Sequence, residues 1–347
     1  MYRLWGLALL PLMLVGSTDF NCSSVVGGLD DEGGVGVDNR KDQNKWSVVQ
    51  FNAEWLFTES CSSCPGICTW NTTVEQYTHM GVIQNLLESL DADTVHLCEV
   101  QSCTQLDEVK PVNRSYVSYM IEGEDTYTGQ NVGLLTKIDP DVSLTRTEMR
   151  YNYPIEGSRC QYNGENGTQG VTKHLFTHFT IHNTSIHMIG AHLLSDPNDP
   201  EKCAQREAQA KVLQAYIESK MDLEEEVIVL GDMNDYDNVF QDINNHEANS
   251  DVLAILCGKT SNYSLYSVAS KVLSDERYTD FYDVNGDCRM ERADLSMIDH
   301  ILVSRGLLER IESVKYIHNY REGCDTYESD HYPVMVTFYW PSEARPL

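Results

Sequence analysis

Polar side chains that could bind a metal or move a proton stand at the ends of short apolar, β-branched runs in this chain of 347 residues. Asn52 and Glu54 follow VVQF, Glu99 ends TVHLCE, and His192 ends MIGAH. Asp232 and Asn234 leave VIVL through GDMN, Asp299 opens IDHILVS, and Asp330-His331 precede YPVMVTF. Any one of them has a dull explanation, because caps, turns and edge charges use these residue types for backbone reasons. Strand ends are also where a rigid scaffold holds polar groups at a wet edge. Together the residues contain what metal-assisted phosphodiester cleavage requires. Glu99 with Asn52 or Glu54 offers oxygen ligands to a hard divalent cation. His331 can act as a base toward water near neutral pH if a carboxylate such as Asp299 orients it. Asn234, His192 and Mg2+ suit the phosphorane, which is more negative than the ester.

The elements that must position these groups are legible from periodicity. WSVVQFNAEWLF, from Trp46, is the first strand, and VIVL is a strand buried on both faces that Gly231 ends. Residues 74–90 place Val82, Leu86, Leu87 and Leu90 on one helical face, followed by a turn and the strand TVHLCEV. Residues 201–221 repeat the arrangement with Ala208, Val212, Leu213, Tyr216 and Ile217, leading into VIVL. Strands are expected at 132–137, 174–181, 185–193, 297–304, 312–320 and 332–340. Mixed strands and helices without a composition break after residue 46 predict one large α/β domain over 46–340, with a tail at 341–347.

The N-terminus reads as a secretory signal over 1–17, with Arg3, an apolar run from Leu4 to Val15, and small residues at the cleavage site. Residues 18–45 are Gly- and Asp-rich and are expected to be flexible. No later run is long and apolar enough for a membrane anchor, so the mature protein is expected to be exported and soluble. Six sequons, at Asn21, Asn71, Asn113, Asn166, Asn183 and Asn262, fit a glycoprotein. Eleven cysteines suggest disulfides, and the odd number leaves at least one thiol over, for which Cys98 in its apolar run is the choice. The cluster Cys61, Cys64, Cys68 favours disulfide over zinc because no fourth ligand is near. Asp283, Asn285 and Asp287 resemble a calcium loop, but Gly286 and Asp294 stand wrongly for one, so a polar turn is favoured.

The order N-x-E, LCEV, GAHL, GDMND, IDHILVS and SDHYPV resembles the endonuclease/exonuclease/phosphatase superfamily, the deoxyribonuclease-I-like fold, over about residues 46 to 340. The resemblance implies a four-layered α/β sandwich, two packed mixed β-sheets with helices outside and the active site at one edge. It implies metal ligation at Glu99, with Asn52, Glu54 and Asp330 close to the metal. Asp232 and Asn234 would position the attacking water and the phosphate, His331 would work with Asp299, and His192 would contact the scissile phosphate. Mg2+ is the expected cofactor, with Mn2+ as an alternative and Ca2+ undecided.

Substrate choice is less determined. A formal net charge of −28 argues against tight, salt-resistant nucleic-acid binding, though not against an enzyme that meets a few phosphates through a cation. The segment VLGDMNDY lacks the Trp and Arg of the inositol polyphosphate 5-phosphatase pattern, and the family's secreted nucleases are the better match. Lys173, His174 and Arg206 are the local candidates for meeting a polyanion. The expectation is therefore a secreted, metal-dependent phosphodiesterase, a nuclease hydrolysing DNA or RNA. A sphingomyelinase-like phosphoesterase is the alternative, for which residues 61–70 are the one candidate membrane loop. A catalytically silent binding module ranks last, since no expected ligand or histidine is missing.

Overall fold

The structure is a computed structural model, and its described residues are 14–15, 22, 37–58, 68–112, 115–223, 225–259, 261–319, 324 and 326–341. Apolar alternation organises it. Eleven strands build two sheets: β1 (Lys45–Leu56), β2 (Thr94–Val100), β3 (Val117–Met120), β4 (Asn131–Thr136), β5 (Lys173–Ile181), β6 (Thr184–His192), β7 (Glu226–Asp232), β8 (Tyr266–Ser267), β9 (Asp299–Val303), β10 (Ile311–Tyr316) and β11 (Val334–Tyr339). The first sheet runs β10-β11-β1-β2-β4-β3 and the second β8-β9-β7-β6-β5. Two long helices are α1 (Thr73–Leu90) and α2 (Pro200–Met221).

Successive strand residues point to opposite faces, and the burial follows that rule. Val48 and Cys98 of the first sheet meet Leu175, Met188 and Ile228 of the second in a shared core. Their neighbours Val49, Phe51 and Leu97 face away, against Met80, Ile83 and Leu87 of α1. On the far side Ile189 and Val229 pack on Val212, Leu213 and Ile217 of α2. The result is the expected sandwich of two mixed sheets between helices.

Strand direction gathers the polar ends. β1 is parallel to β2, and β6 is parallel to β7, so Asn52, Glu99, His192 and Asp232 all stand near strand C-terminal ends. β9 and β11 run antiparallel to these partners, so Asp299 and the approach to His331 arrive at the same edge from their beginnings.

Three expectations are corrected. Gly231 does not end its strand; it pairs with Ala191 and His300 inside β7. A Cβ there would lie 1.9 Å from the Ala191 carbonyl oxygen, so close backbone approach demands the glycine. The buried stripe of α1 is Gln76, His79, Met80, Ile83, Leu86 and Leu87, which leaves Val82 and Leu90 half-buried at its margin. Order also begins before Trp46. Asp38 bridges Ile138, Arg40 is buried against Asp38 and the Lys45 carbonyl, and Cys22 is bonded to Cys103. These long-range contacts have no periodic signature, so the tail looked featureless in sequence.

A second disulfide joins Cys160 to Cys203, and Cys68 is also disulfide-bonded. Cys61 and Cys64 lie outside the described residues, as do Asn21, Asn113 and the predicted signal apart from Leu14–Val15, which pair with Arg146–Thr147. Asn71, Asn166, Asn183 and Asn262 are exposed. No helix among the described residues is long and apolar enough to cross a membrane.

Candidate active site

At the shared edge of the sheets lies a cleft of about 680 Å³, lined by Asn52, Glu99, His192, Asp232, Asn234, Asp330 and His331 among others. Sheet register fixes half of it. His192 is the lateral partner of Asp232, and Asp232 is the lateral partner of Asp299. Across the sheets, Asn52 Nδ2 donates to Asp232 Oδ2 at 3.0 Å and to Glu99 Oε1 at 3.3 Å. His331 Nδ1 donates to Asp299 Oδ2 at 2.7 Å. Asp232, Asp299 and His331 form a buried cluster whose ligand-type atoms lie within 4.8 Å of one another.

The other half depends on irregular backbone. The β1–β2 ladder shifts register between Asn52 and Leu56, and the β2–β4 ladder shifts between Cys98 and Val100. Within these bulges Glu54, Trp55 and Glu99 take φ values of 49°, 50° and 64°, a region that side chains rarely occupy. The bulge at Glu99 breaks the alternation that would bury its carboxylate, and the Trp55 amide caps its Oε2 at 3.0 Å. Asn234 is likewise left-handed at 49°, its amide N–H donating to Asp232 Oδ1 and its Nδ2 to the Leu193 carbonyl.

Two site residues face differently from the simplest expectation. Asn52 turns its NH2 group to the cleft carboxylates, while its Oδ1 accepts from the Glu54 amide. Glu54 stands behind the cleft wall: Oε1 accepts from Thr69 Oγ1 and Oε2 from the Asp330 amide. That carboxylate therefore ties β1 to the His331 segment.

Burial and charge set the protonation states. Burial would lower the His331 pKa, but Asp299, Asp330 and Asp232 outweigh it and hold the imidazole well above its ordinary value. Asp232 is pushed up to about 7, first by burial and then by Asp299. His192 is driven well below its ordinary value by burial, then by Lys173 and His331, so it is neutral. Its Nε2 lies 3.6 Å from Asp232 Oδ2.

Several functional contacts had no sequence signal. Asp280 brings Oδ1 to 3.8 Å from His331 Nε2, but it lies in a two-residue strand without an apolar run. Gln50 donates to Asp299 Oδ1 at 3.0 Å and accepts from His96 Nδ1 at 2.6 Å, so it fixes the carboxylate that fixes His331. Ser329 Oγ donates to the Asn52 carbonyl and accepts from the His331 amide. An isolated Gln or Ser carries no motif.

The expected basic trio divides. Lys173 is the lateral partner of His192 and stands beside the cleft. His174 is buried with Nε2 accepting from the Thr147 amide, and so cannot meet a phosphate. Arg206 is fully buried, paired with Asp235 at 3.2 Å, and donates to the carbonyls of Leu194, Ser195 and Asp196. It braces a cleft wall from inside. Trp70, the aromatic end of the candidate membrane loop, is buried and stacked on His79.

This architecture is the endonuclease/exonuclease/phosphatase fold. It matches an endonuclease/exonuclease/phosphatase family protein from Bacteroides thetaiotaomicron with a TM-score of 0.52 and 16% identity, covering 86% of this chain and 98% of that one. An AP endonuclease from Archaeoglobus fulgidus matches at 0.53 and 15%, covering 84% and 99%. The 3′ phosphatase NExo from Neisseria, bound to a product DNA hairpin, matches at 0.55 and 16%, covering 85% and 100%. No family model matches the chain, and no curated protein matches it by sequence.

Proposed function

We propose that this protein is an exported, divalent-metal-dependent phosphodiesterase that hydrolyses DNA or RNA. The observation that carries the reading is the His331–Asp299 pair facing Asn52, Glu99 and Asp232 across one cleft. The DNA hairpin held by the like-folded Neisseria protein supports nucleic acid as the substrate class. The disulfides Cys22–Cys103 and Cys160–Cys203 and the signal-like N-terminus support export.

The donor set fits a hard cation, because Glu99 and Asp330 supply carboxylate oxygens and the cleft is acidic. A bound Mg2+ would supply charge for the phosphate and acidify a water molecule. The protein's own groups act around that charge. Asn52 through its NH2 group and Asn234 through its backbone N–H donate the hydrogen bonds that fix Asp232. Asp232, with a pKa near neutrality, is placed to orient water and receive its proton. His331 holds its proton in the field of the surrounding carboxylates, which suits it to donate from Nε2 toward phosphoryl or leaving-group oxygen. This puts the acid role on His331 ahead of the base role expected from sequence. Neutral His192 donates to the same side of the phosphate.

The test is cleavage by purified protein of supercoiled plasmid, single-stranded DNA, RNA and sphingomyelin, each with Mg2+ and with EDTA. Plasmid nicking that EDTA stops and His331→Ala lacks is the expected result. Choline-phosphate release without nucleic-acid cleavage would move the protein to the lipid branch, and turnover retained by His331→Ala would sink the mechanism.

A further inference from the structure

Four cysteines among the described residues are unpaired: Cys98, Cys257, Cys288 and Cys324. Cys98 is core, and its thiol points at the Ala191 carbonyl. Cys257 lies in a separate apolar hollow with Leu253 and Leu265. Cys288 and Cys324 are different, because their sulfur atoms and a carboxylate oxygen of Asp283 lie within 4.8 Å of one another. We propose that Cys288 and Cys324 form a reversible disulfide that staples one rim of the cleft to the segment carrying His331.

The rim is the turn that follows Asp280. Tyr282 and Val284 line the cleft mouth and are 72% and 66% exposed. The turn satisfies itself: Asp283 accepts from the amides of Gly286 and Cys288, and Asn285 accepts from Asp287. These are the hydrogen bonds of a polar turn. Its ties to the body include the amides of Tyr282 and Val284, which donate to Asp294. Cys288 is the exposed residue that closes the turn, with φ 58°. Cys324 stands between β10 and Ser329, in the stretch leading to His331. A bond between them would close a loop containing Asp299 and ending shortly before His331.

A thiol pair bridged by a carboxylate is the bland alternative, since Cys324 Sγ donates to Asp283 Oδ2 at 3.5 Å. Both sulfurs, however, lie on exposed or half-buried side chains, and bonding requires a gap below 4.8 Å to close to the roughly 2.05 Å of a disulfide. The neighbouring Cys288 thiol, burial and the Asp283 carboxylate push the Cys324 thiol up to about 12, so that sulfur is a poor nucleophile at neutral pH and its exchange with a disulfide partner is slow. In that exchange one S–S bond forms here. Two electrons and the two thiol protons pass to a small-molecule or protein disulfide, which leaves as two thiols. The proposal for the rim's effect on substrate rests on the nuclease reading; the bond itself does not.

The full-length protein, equilibrated with glutathione disulfide, is alkylated, digested without reduction and mapped by mass. The expected product is one cross-linked peptide pair holding Cys288 and Cys324, lost after dithiothreitol. Alkylation of both thiols after oxidation would overturn the proposal, as would protection by one bound zinc that a chelator releases. For the rim, Cys288→Ser is compared with wild type on plasmid and on a small chromogenic phosphodiester. A several-fold higher KM on plasmid, with kcat and small-substrate turnover unchanged, is expected; equal KM on plasmid would refute the staple's effect on substrate. If the cross-link maps but wild type cleaves no nucleic acid, the disulfide stands and the nuclease reading fails.

Discussion

The two sheets deliver their site residues by opposite means. In the second sheet the ladder is regular: His192, Asp232 and Asp299 are successive lateral partners, and Gly231 lets β6 and β7 approach closely. In the first sheet the ladder breaks beside both Asn52 and Glu99, and left-handed residues turn the carboxylates. Regular register gives a rigid floor at no conformational cost, whereas the bulged wall stores strain that burial and hydrogen bonds must offset. The floor should therefore fail on packing changes, and the wall should tolerate relaxation while losing function.

The largest effect is expected where floor and wall meet. His331→Ala should lower kcat/KM for plasmid cleavage by about a thousandfold or more while leaving the urea midpoint near wild type. Next, Gly231→Ala should destabilise the protein by about 3–5 kcal/mol, because the new Cβ meets backbone that cannot move aside. Urea unfolding measures it, and a shift below 1 kcal/mol would break the contrast between the sheets.

A third expectation concerns acid. His174 is lowered to about 4, first by burial and then by Arg146, and its Nε2 must stay unprotonated to accept from Thr147. With a folded pKa below the unfolded value, its contribution is complete above pH 6.5 and is lost as pH falls toward about 4. About 3 kcal/mol of stability should disappear across that window. His174→Gln should make the fall shallower, and an unchanged slope in urea titrations would show that His174 is not its source.

Smaller effects sharpen the view of positioning. Gln50→Leu removes the donor to Asp299 and should cost about tenfold in kcat with KM little altered. Equal kcat would show that the His331 pair needs no such brace. The smallest change in stability is expected for Glu99→Gly, which should leave stability unchanged or raised by about 0.5–1 kcal/mol by relieving a φ of 64°. A loss of stability would show that the bulge is held by Glu99's own contacts.

Most of the strand inventory was readable because burial imposes a period of two, and β2 was expected at the bounds observed, Thr94–Val100. The long helices were readable for the same reason at a period of 3.6, although the stripe on α1 was placed off its centre. The motif residues at strand ends were visible because hard, polar side chains interrupt apolar runs. What failed was anything set by partners distant in sequence. Arg206 looked like a phosphate ligand, yet its fate was decided by Asp235 and three carbonyls of the 194–196 turn. The tail before Trp46 looked loose, yet Cys22 is held by Cys103.

The sequence by itself determined which residues could do chemistry and which strands carried them, because periodicity and residue type are local properties of the chain. Only the tertiary structure decided that Gln50 and Asp280 join the site, that Glu54 stands behind it, and that Arg206 and His174 are buried. Those outcomes depend on which strand ends are brought within a few ångströms of one another. Local periodicity does not encode that, because the contacts arise from sheet pairing between residues far apart in the chain.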